Sequence, residues 1–166
     1  MKTINFEYNS LDDIKSNLKW FKLELLDVFV QVFTWIVDKK IIKKIQKDIL
    51  EVIPNAIISW TTTDWEILSW EVKSNSVVIS VSIFNKTKVN SILVDKLNKY
   101  NQLDLLEIIE TKLIKKDTKC LIVFCDWISS VEKVLSAIYK KYPNIIVSWW
   151  KSGDNYNFKF PYLSKD

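Results

Sequence analysis

The chain contains one glycine, Gly153, among 166 residues, but eight tryptophans. Glycine enters left-handed backbone conformations at no steric cost, so tight turns and helix C-caps normally depend on it. Average usage of roughly 7% would supply about a dozen glycines in a chain of this length. Any fold of this sequence must therefore avoid such backbone positions or place other residues in them.

The tryptophans stand where glycines are expected. Six of the eight follow Ser, Thr or Asp, which are residues that commonly precede glycine in turns. These six pairs are Thr34-Trp35, Ser59-Trp60, Asp64-Trp65, Ser69-Trp70, Asp126-Trp127 and Ser148-Trp149. Another, Trp20, follows a helix expected from residue 11 to about residue 19, at the position where a left-handed C-cap glycine is usual.

Two interpretations of these tryptophans are open. Either they form an aromatic core or a surface on which sugars or bases stack, or the gene uses UGA for glycine and was translated as though UGA meant tryptophan. The chain has no Arg and only two alanines, while Lys, Ile and Asn abound, as in a very AT-rich genome. Such a genome should not enrich UGG, so composition favours the alternative genetic code, and the codons would decide between the two.

Length and composition predict one domain over residues 1–166. No apolar run approaches the length of a membrane span, and the first residues lack the features of a signal peptide, so we expect a cytoplasmic protein without a membrane partner. The formal net charge of +4 comes from lysines scattered along the chain. Scattered lysines favour solvated helix faces over a nucleic-acid interface.

The chain has no histidine, from which we expect neither a zinc site nor a histidine-dependent hydrolase mechanism, and we take both as excluded. Cys120 and Cys125 lie in the strand-like run CLIVFC and should point to opposite faces as two buried free thiols. We expect no metal, no cofactor and no catalysis. The alternative is an enzyme that uses Cys125 as nucleophile or Asp126 as base, which requires an accessible Cys125 with a lowered pKa.

Apolar periodicity predicts an α/β fold with a mixed sheet, in which helices pack on parallel strand–helix–strand units and an antiparallel hairpin is inserted. LLDVFVQVF and AIIS are predicted strands on either side of a helix that Asp38 caps and that runs through Ile53. SVVISVSIF and TKVNSILV are predicted to pair as the hairpin around Asn85-Lys86.

The C-terminal part repeats the alternation of strands and helices. A helix over about residues 102–116 precedes the strand KCLIVFCD, a helix over about residues 129–141 and the strand NIIVS. WWKSGDNYNF is predicted to be a loop, and NFKFPYL a last strand, with Pro161 marking an edge.

Ligands of open α/β sheets bind beyond the carboxyl ends of the strands. Polar loops lie at four predicted strand ends, over residues 34–35, 59–66, 126–130 and 148–154. In the second loop, hydroxyls and carboxylates either bind a ligand or satisfy a turn. In the third, Asp126 either holds a ligand ammonium or caps the next helix, and the fourth presents backbone amides suited to an anion.

With the loop tryptophans read as glycine, three segments resemble the N-terminal half of the FIST domain, a sensory module of bacterial signal transduction. They are PNAIISWTTTDWEILSWEV, SVVISVSIFNKTKV, and LIVFCDWISS taken with PNIIVSWWKSGDNYNFKFPYL, within residues 25–163. Literal tryptophans would break the family's turns. Family members also continue further, so we expect the chain to be C-terminally truncated relative to them.

The resemblance implies that the chain binds a small ligand, proposed for the family to be an amino acid or related metabolite, without catalysis. It implies an output partner such as a histidine kinase or a diguanylate cyclase. The positions carried over as ligand-binding are Thr61, Thr62, Asp64, Glu66, Asp126, Ser152, Gly153 and Asp154. The alternative is an interaction subunit that supplies only a surface and binds no ligand.

Overall fold

The computed structural model describes residues 1–36, 38–94, 100–125, 132–152 and 163–164. Its helices are α1 (Leu11–Leu18), α2 (Lys39–Val52), α3 (Gln102–Lys112) and α4 (Glu132–Lys141). Its strands are β1 (Lys2–Glu7), β2 (Asp27–Thr34), β3 (Ile57–Thr62), β4 (Glu66–Leu68), β5 (Glu71–Lys73), β6 (Val77–Phe84), β7 (Cys120–Cys125), β8 (Ile146–Lys151) and β9 (Leu163–Ser164).

The largest sheet has the strand order β1-β6-β2-β3-β9. Strands β2 and β3 run parallel and are connected through α2, whereas β6 pairs antiparallel with both β1 and β2. The α/β prediction with a mixed sheet and a parallel strand–helix–strand unit is therefore confirmed.

Helix α2 covers one face of this sheet because its apolar residues recur at helical spacing. Ile42, Ile45 and Ile49 are buried in one cluster with alternate residues of β2, such as Val30 and Val32. The helix begins as predicted, since the Asp38 carboxylate accepts hydrogen bonds from the backbone N–H groups of Lys40 (2.7 Å) and Ile41 (3.4 Å).

A second parallel pair, β7 with β8, packs against α3 and α4 around Leu121, Val134 and Ile138. Aromatic rings connect it to the larger sheet near the carboxyl ends of the strands. The rings of Phe33 and Phe124 meet edge to face at 6.3 Å, and Phe124 stacks on Trp150 at 5.6 Å. The carboxyl ends of β2 and β7 are thereby held next to each other.

The predicted hairpin partner of β6 is wrong, because residues 87–94 form no strand. Both edges of β6 are already paired, with β1 and β2, so this segment has no edge to join. An antiparallel hairpin forms instead between β4 and β5, beginning at the end of the polar loop predicted over residues 59–66.

The loop predicted to begin at Trp149 is also corrected. Trp149, Trp150 and Lys151 extend β8, where Trp150 pairs in register with Phe124 of β7. The last residue of the predicted final strand, Leu163, forms β9 together with Ser164 and pairs with β3. Residues 157–162 lie outside the described part of the chain.

The tryptophans of the core and of the turns differ in environment. Trp60 is buried in the main core, and among the described residues its indole N–H has no hydrogen-bond partner. Trp20 and Trp65 are exposed in turns or loops without the left-handed backbone expected of glycine positions. Trp70 does have that backbone: φ is 52° at Ser69 and 70° at Trp70, between β4 and β5. Trp127 lies outside the described residues.

Replacing Trp70 with glycine should stabilise the protein by about 1 kcal/mol. A two-residue hairpin turn with positive φ at both residues favours glycine at the second, and a left-handed conformation costs other residues roughly 1–2 kcal/mol. The indole is 99% exposed, so its removal sacrifices no packing. We expect the Trp70→Gly variant to melt about 2–4 °C higher in calorimetry. An unchanged or lower melting temperature would show that this turn does not require glycine.

Candidate functional site

The carboxyl ends of the parallel strands β2 and β3 carry buried hydroxyls. Thr34 and Thr62 are the last residues of their strands and are paired in register. Both are fully buried, and Thr61 is only 3% exposed. The Thr63 N–H donates to the Thr34 carbonyl at 3.0 Å, which continues the pairing one residue further. These threonines therefore sit where open α/β sheets bind ligands.

The Glu66 carboxylate lies beside these strand ends and is only 2% exposed. One carboxylate oxygen accepts a hydrogen bond from the Thr63 hydroxyl at 2.6 Å, and the other accepts one from the Ser76 hydroxyl at 2.8 Å. Ser76 is held in turn, since its carbonyl accepts the Trp35 N–H at 3.2 Å. We call Thr34, Thr61, Thr62, Thr63, Glu66 and Ser76 the Glu66 cluster.

The charge of the Glu66 cluster is distinctive. Burying a carboxylate is costly unless hydrogen bonds and an opposite charge compensate it. Two hydroxyls supply hydrogen bonds, but no lysine among the described residues forms an ion pair with Glu66. The Glu66 carboxylate thus has hydrogen-bond partners but no ion-pair partner among the described residues.

The structure brings together part of the predicted site. Thr61, Thr62 and Glu66 belong to the Glu66 cluster, and Asp64 lies half-buried in the short segment between Thr63 and Glu66. Thr34, Thr63 and Ser76 complete it; the sequence signal for Ser76 was weak because it lies ten residues from Glu66 in the chain.

The other predicted residues lie at or beyond the ends of β7 and β8. Ser152 is buried, and both its N–H (2.9 Å) and its hydroxyl (3.1 Å) donate to the Cys125 carbonyl. Asp126, Gly153 and Asp154 lie outside the described residues. The Phe33–Phe124 contact is one residue before Thr34 and Cys125, so the two sets of strand ends are neighbours.

The cysteines differ from each other in exposure. Cys125 is buried, and its thiol donates to the Trp150 carbonyl at 3.4 Å. Cys120 is exposed, which corrects the prediction that both thiols are buried. It begins β7 on the opposite side of the strand from Cys125. A nucleophilic thiol must be reachable by its substrate, so the burial of Cys125 does not favour the enzyme alternative.

A polar network that joins buried Tyr8 and Asp48 to exposed Lys44 was not predicted from the sequence. The Tyr8 hydroxyl donates to Asp48 Oδ2 at 2.6 Å, and Lys44 Nζ donates to the same oxygen at 2.8 Å and to the Tyr8 hydroxyl at 2.9 Å. Only the Lys44–Asp48 spacing, i to i+4 on a helix, was visible in the sequence, since Tyr8 and Asp48 are 40 residues apart.

The three groups of this network shift one another's pKa values. Burial and the hydrogen bond to Asp48 raise the pKa of Tyr8. Burial alone would raise the pKa of Asp48, but the hydrogen bonds from Lys44 and Tyr8 outweigh it and lower that pKa. The same two partners raise the pKa of Lys44, which stays protonated. The network therefore ties the end of β1 to α2 and lacks a base that is free to act.

Other features of the described residues point to no second centre. An open depression of about 480 Å³ along α2 is lined by Lys43, Gln46, Lys47, Leu50 and Glu51 and shares no residue with the Glu66 cluster. Within the described ranges, Cys, Asp and Glu side chains form no group of three that is able to hold a metal ion. Nor is any described helix both long enough and apolar enough to span a membrane.

Comparison of the chain with protein-family models, with curated proteins and with solved structures gives no match in any of the three.

Proposed function

We propose that the chain is a small-molecule sensing module that binds a ligand carrying an ammonium group, such as an amino acid, at the carboxyl ends of β2 and β3. The observation that carries this proposal is the buried Glu66 carboxylate, which two hydroxyls orient and no described lysine neutralises. A ligand ammonium would supply the missing positive charge and three hydrogen-bond donors.

The surrounding hydroxyls fit the same ligand class. Thr61 and Thr62 end β3 just before Thr63, whose hydroxyl binds Glu66. The Thr61 hydroxyl donates to the Thr62 carbonyl at 3.2 Å, and its oxygen can still accept a hydrogen bond from an ammonium. Ser152 follows β8 at the neighbouring strand ends, which the Phe33–Phe124 contact joins to this site. We include Asp64, Asp126, Gly153 and Asp154 among the ligand-binding residues on the ground of the sequence alone. From the resemblance seen in the sequence, with the loop tryptophans read as glycine, we also propose a cytoplasmic location and an output partner such as a histidine kinase or diguanylate cyclase.

A thermal-shift screen of the L-amino acids and simple amines would test the proposal. We expect at least one amino acid to raise the melting temperature of the wild-type protein, because a ligand that binds only the folded state stabilises it. The Glu66→Gln variant should keep the shape of the cluster, lose its charge and bind that amino acid about tenfold more weakly or worse.

The matched control is Glu71→Gln, which removes the same charge from an exposed site on the same hairpin. It should leave the ligand response unchanged. If no compound shifts the wild-type protein, or if the two variants lose the response equally, the Glu66 cluster is not the binding site.

One observation favours the alternative of an interaction subunit. The outer face of the β4–β5 hairpin exposes Ile67 and Val72, which are cross-strand partners, with Trp65 and Trp70 beside them. Exposed apolar patches of this kind mark protein contacts. A Val72→Lys variant would lose binding to a protein partner under this alternative, while the wild-type protein would show no thermal shift with any small molecule.

A further inference from the structure

Helix α2 carries a row of lysines on its solvent side. Ile42, Ile45 and Ile49 face the core, whereas Lys40, Lys43 and Lys47 are exposed. Residues three and four apart on a helix are neighbours on one side of it, so these lysines form a continuous row. We call Lys40, Lys43 and Lys47 the lysine stripe.

Acidic groups lie near the lysine stripe, but none of them forms an ion pair with it among the described residues. The acidic groups on the same helix are engaged elsewhere: Asp48 binds Lys44 at 2.8 Å, and Glu51 binds Lys15 at 3.0 Å. No ion pair in the described part of the chain includes a member of the stripe. Like charges at this spacing destabilise a helix.

The lysines also oppose the helix dipole. The first turn of α2 contains no acidic residue, although the positive end of the dipole favours acids there, and the last turn contains no basic residue. Lys40 lies in the first turn and Glu51 near the last. The Asp38 cap and the Lys44–Asp48 pair favour the helix, whereas the positions of Lys40 and Glu51 do not, and packing of the isoleucines does not require the lysines.

We propose that the lysine stripe is a docking surface for an acidic segment of a partner protein. The charge of the stripe selects an acidic partner, and the shallow depression of about 480 Å³ beside it adds a place for side chains. Leu50 in that depression is partly exposed and offers an apolar contact, while Glu51 lies next to it.

These neighbours favour a protein over other polyanions. A nucleic-acid backbone carries phosphates continuously and would meet the carboxylate of Glu51, and the chain has no arginine to bind phosphate with two parallel hydrogen bonds. A peptide can place acidic side chains opposite the lysines and an apolar side chain opposite Leu50. This docking surface shares no residue with the Glu66 cluster, so a result against one of the two proposals leaves the other unaffected.

Fluorescence anisotropy would test the proposal with a labelled helical peptide in which turns that contain Glu alternate with turns that contain Leu. We expect the wild-type protein to bind the peptide at low ionic strength and to release it as salt is added. The triple variant Lys40→Gln, Lys43→Gln, Lys47→Gln should bind about tenfold more weakly, since three exposed ion pairs are lost. Its melting temperature should be equal or higher because the repulsion is removed.

The control variant Lys112→Gln, Lys115→Gln, Lys116→Gln removes three exposed lysines from the end of α3 and the residues after it, with the same change in net charge. It should bind the peptide as the wild-type protein does. Equal weakening in both triple variants, absence of peptide binding by the wild-type protein, or a lower melting temperature of the stripe variant would overturn the proposal. So would tighter stripe-dependent binding of oligouridylate or of phosphatidylserine vesicles.

Discussion

Replacing Trp60 with glycine should destabilise the protein by about 3 kcal/mol or more, the largest effect that we expect of a single substitution. The indole is 2% exposed and packs in the main core. Truncating a buried tryptophan to alanine typically costs about 3–5 kcal/mol, because packing is lost and a cavity remains. Glycine in a strand adds a further penalty. The unpartnered indole N–H offsets part of the loss.

Urea denaturation of Trp60→Gly beside Trp20→Gly would measure this difference. Trp20 is 82% exposed, so its replacement should change the free energy of unfolding by no more than about 0.5 kcal/mol. A Trp60→Gly protein as stable as the wild type would mean that the indole does not contribute to the core. That result would support glycine as the residue encoded at this position.

The second large effect concerns the Tyr8–Lys44–Asp48 network. The Asp48→Ala variant should be less stable than the wild-type protein by about 2–3 kcal/mol at pH 7. The Asp48 carboxylate accepts hydrogen bonds from the Tyr8 hydroxyl at 2.6 Å and from the Lys44 ammonium at 2.8 Å, and hydrogen bonds to charged groups are worth about 1.5–3 kcal/mol. Lys44 is largely exposed, so its share of the loss is smaller.

The pH dependence of this difference follows from the direction of the pKa shift. The pKa of Asp48 in the folded state is below its ordinary value of 3.8, so the carboxylate stabilises the fold above that value. The advantage of wild type over Asp48→Ala should be full at pH 6 and decrease as the pH falls below about 4.

Denaturation curves of both proteins between pH 2 and about pH 7 would measure this dependence. A constant difference across that range would contradict the shift. Asp12→Ala serves as a control, because Asp12 is an exposed helix residue, and its effect should stay within about 0.5 kcal/mol.

Patterns in the sequence predicted those helices and strands whose formation depends on residues close together in the chain. The spacing of apolar residues predicted the β2–α2–β3 unit. The start of α2 was predicted from Asp38, which lies two residues before the first backbone N–H that its carboxylate binds. Residues 87–94 alternate like a strand, but the sequence does not reveal that β1 and β2 already occupy both edges of β6. Competition for an edge is a property of the whole sheet.

Only part of the candidate site was predicted, because the rest depends on contacts between residues that are far apart in the chain. Thr61, Thr62 and Glu66 were identifiable because a polar loop follows a strand. The Ser76 hydroxyl donates to Glu66 from the residue just before β6, and the spacing of residues within the loop does not predict this contact. The Tyr8–Asp48 bond likewise joins residues far apart in the chain.

The position of β6 between β1 and β2 has a consequence for synthesis on the ribosome. Both strands precede β6 in the chain and bind only to it along those edges, so they remain unpaired there until β6 has emerged. Contacts at such long sequence separation slow folding, because the intervening chain must be closed first. During that delay β1 and β2 each expose an unpaired edge, and such edges make a nascent chain prone to aggregation.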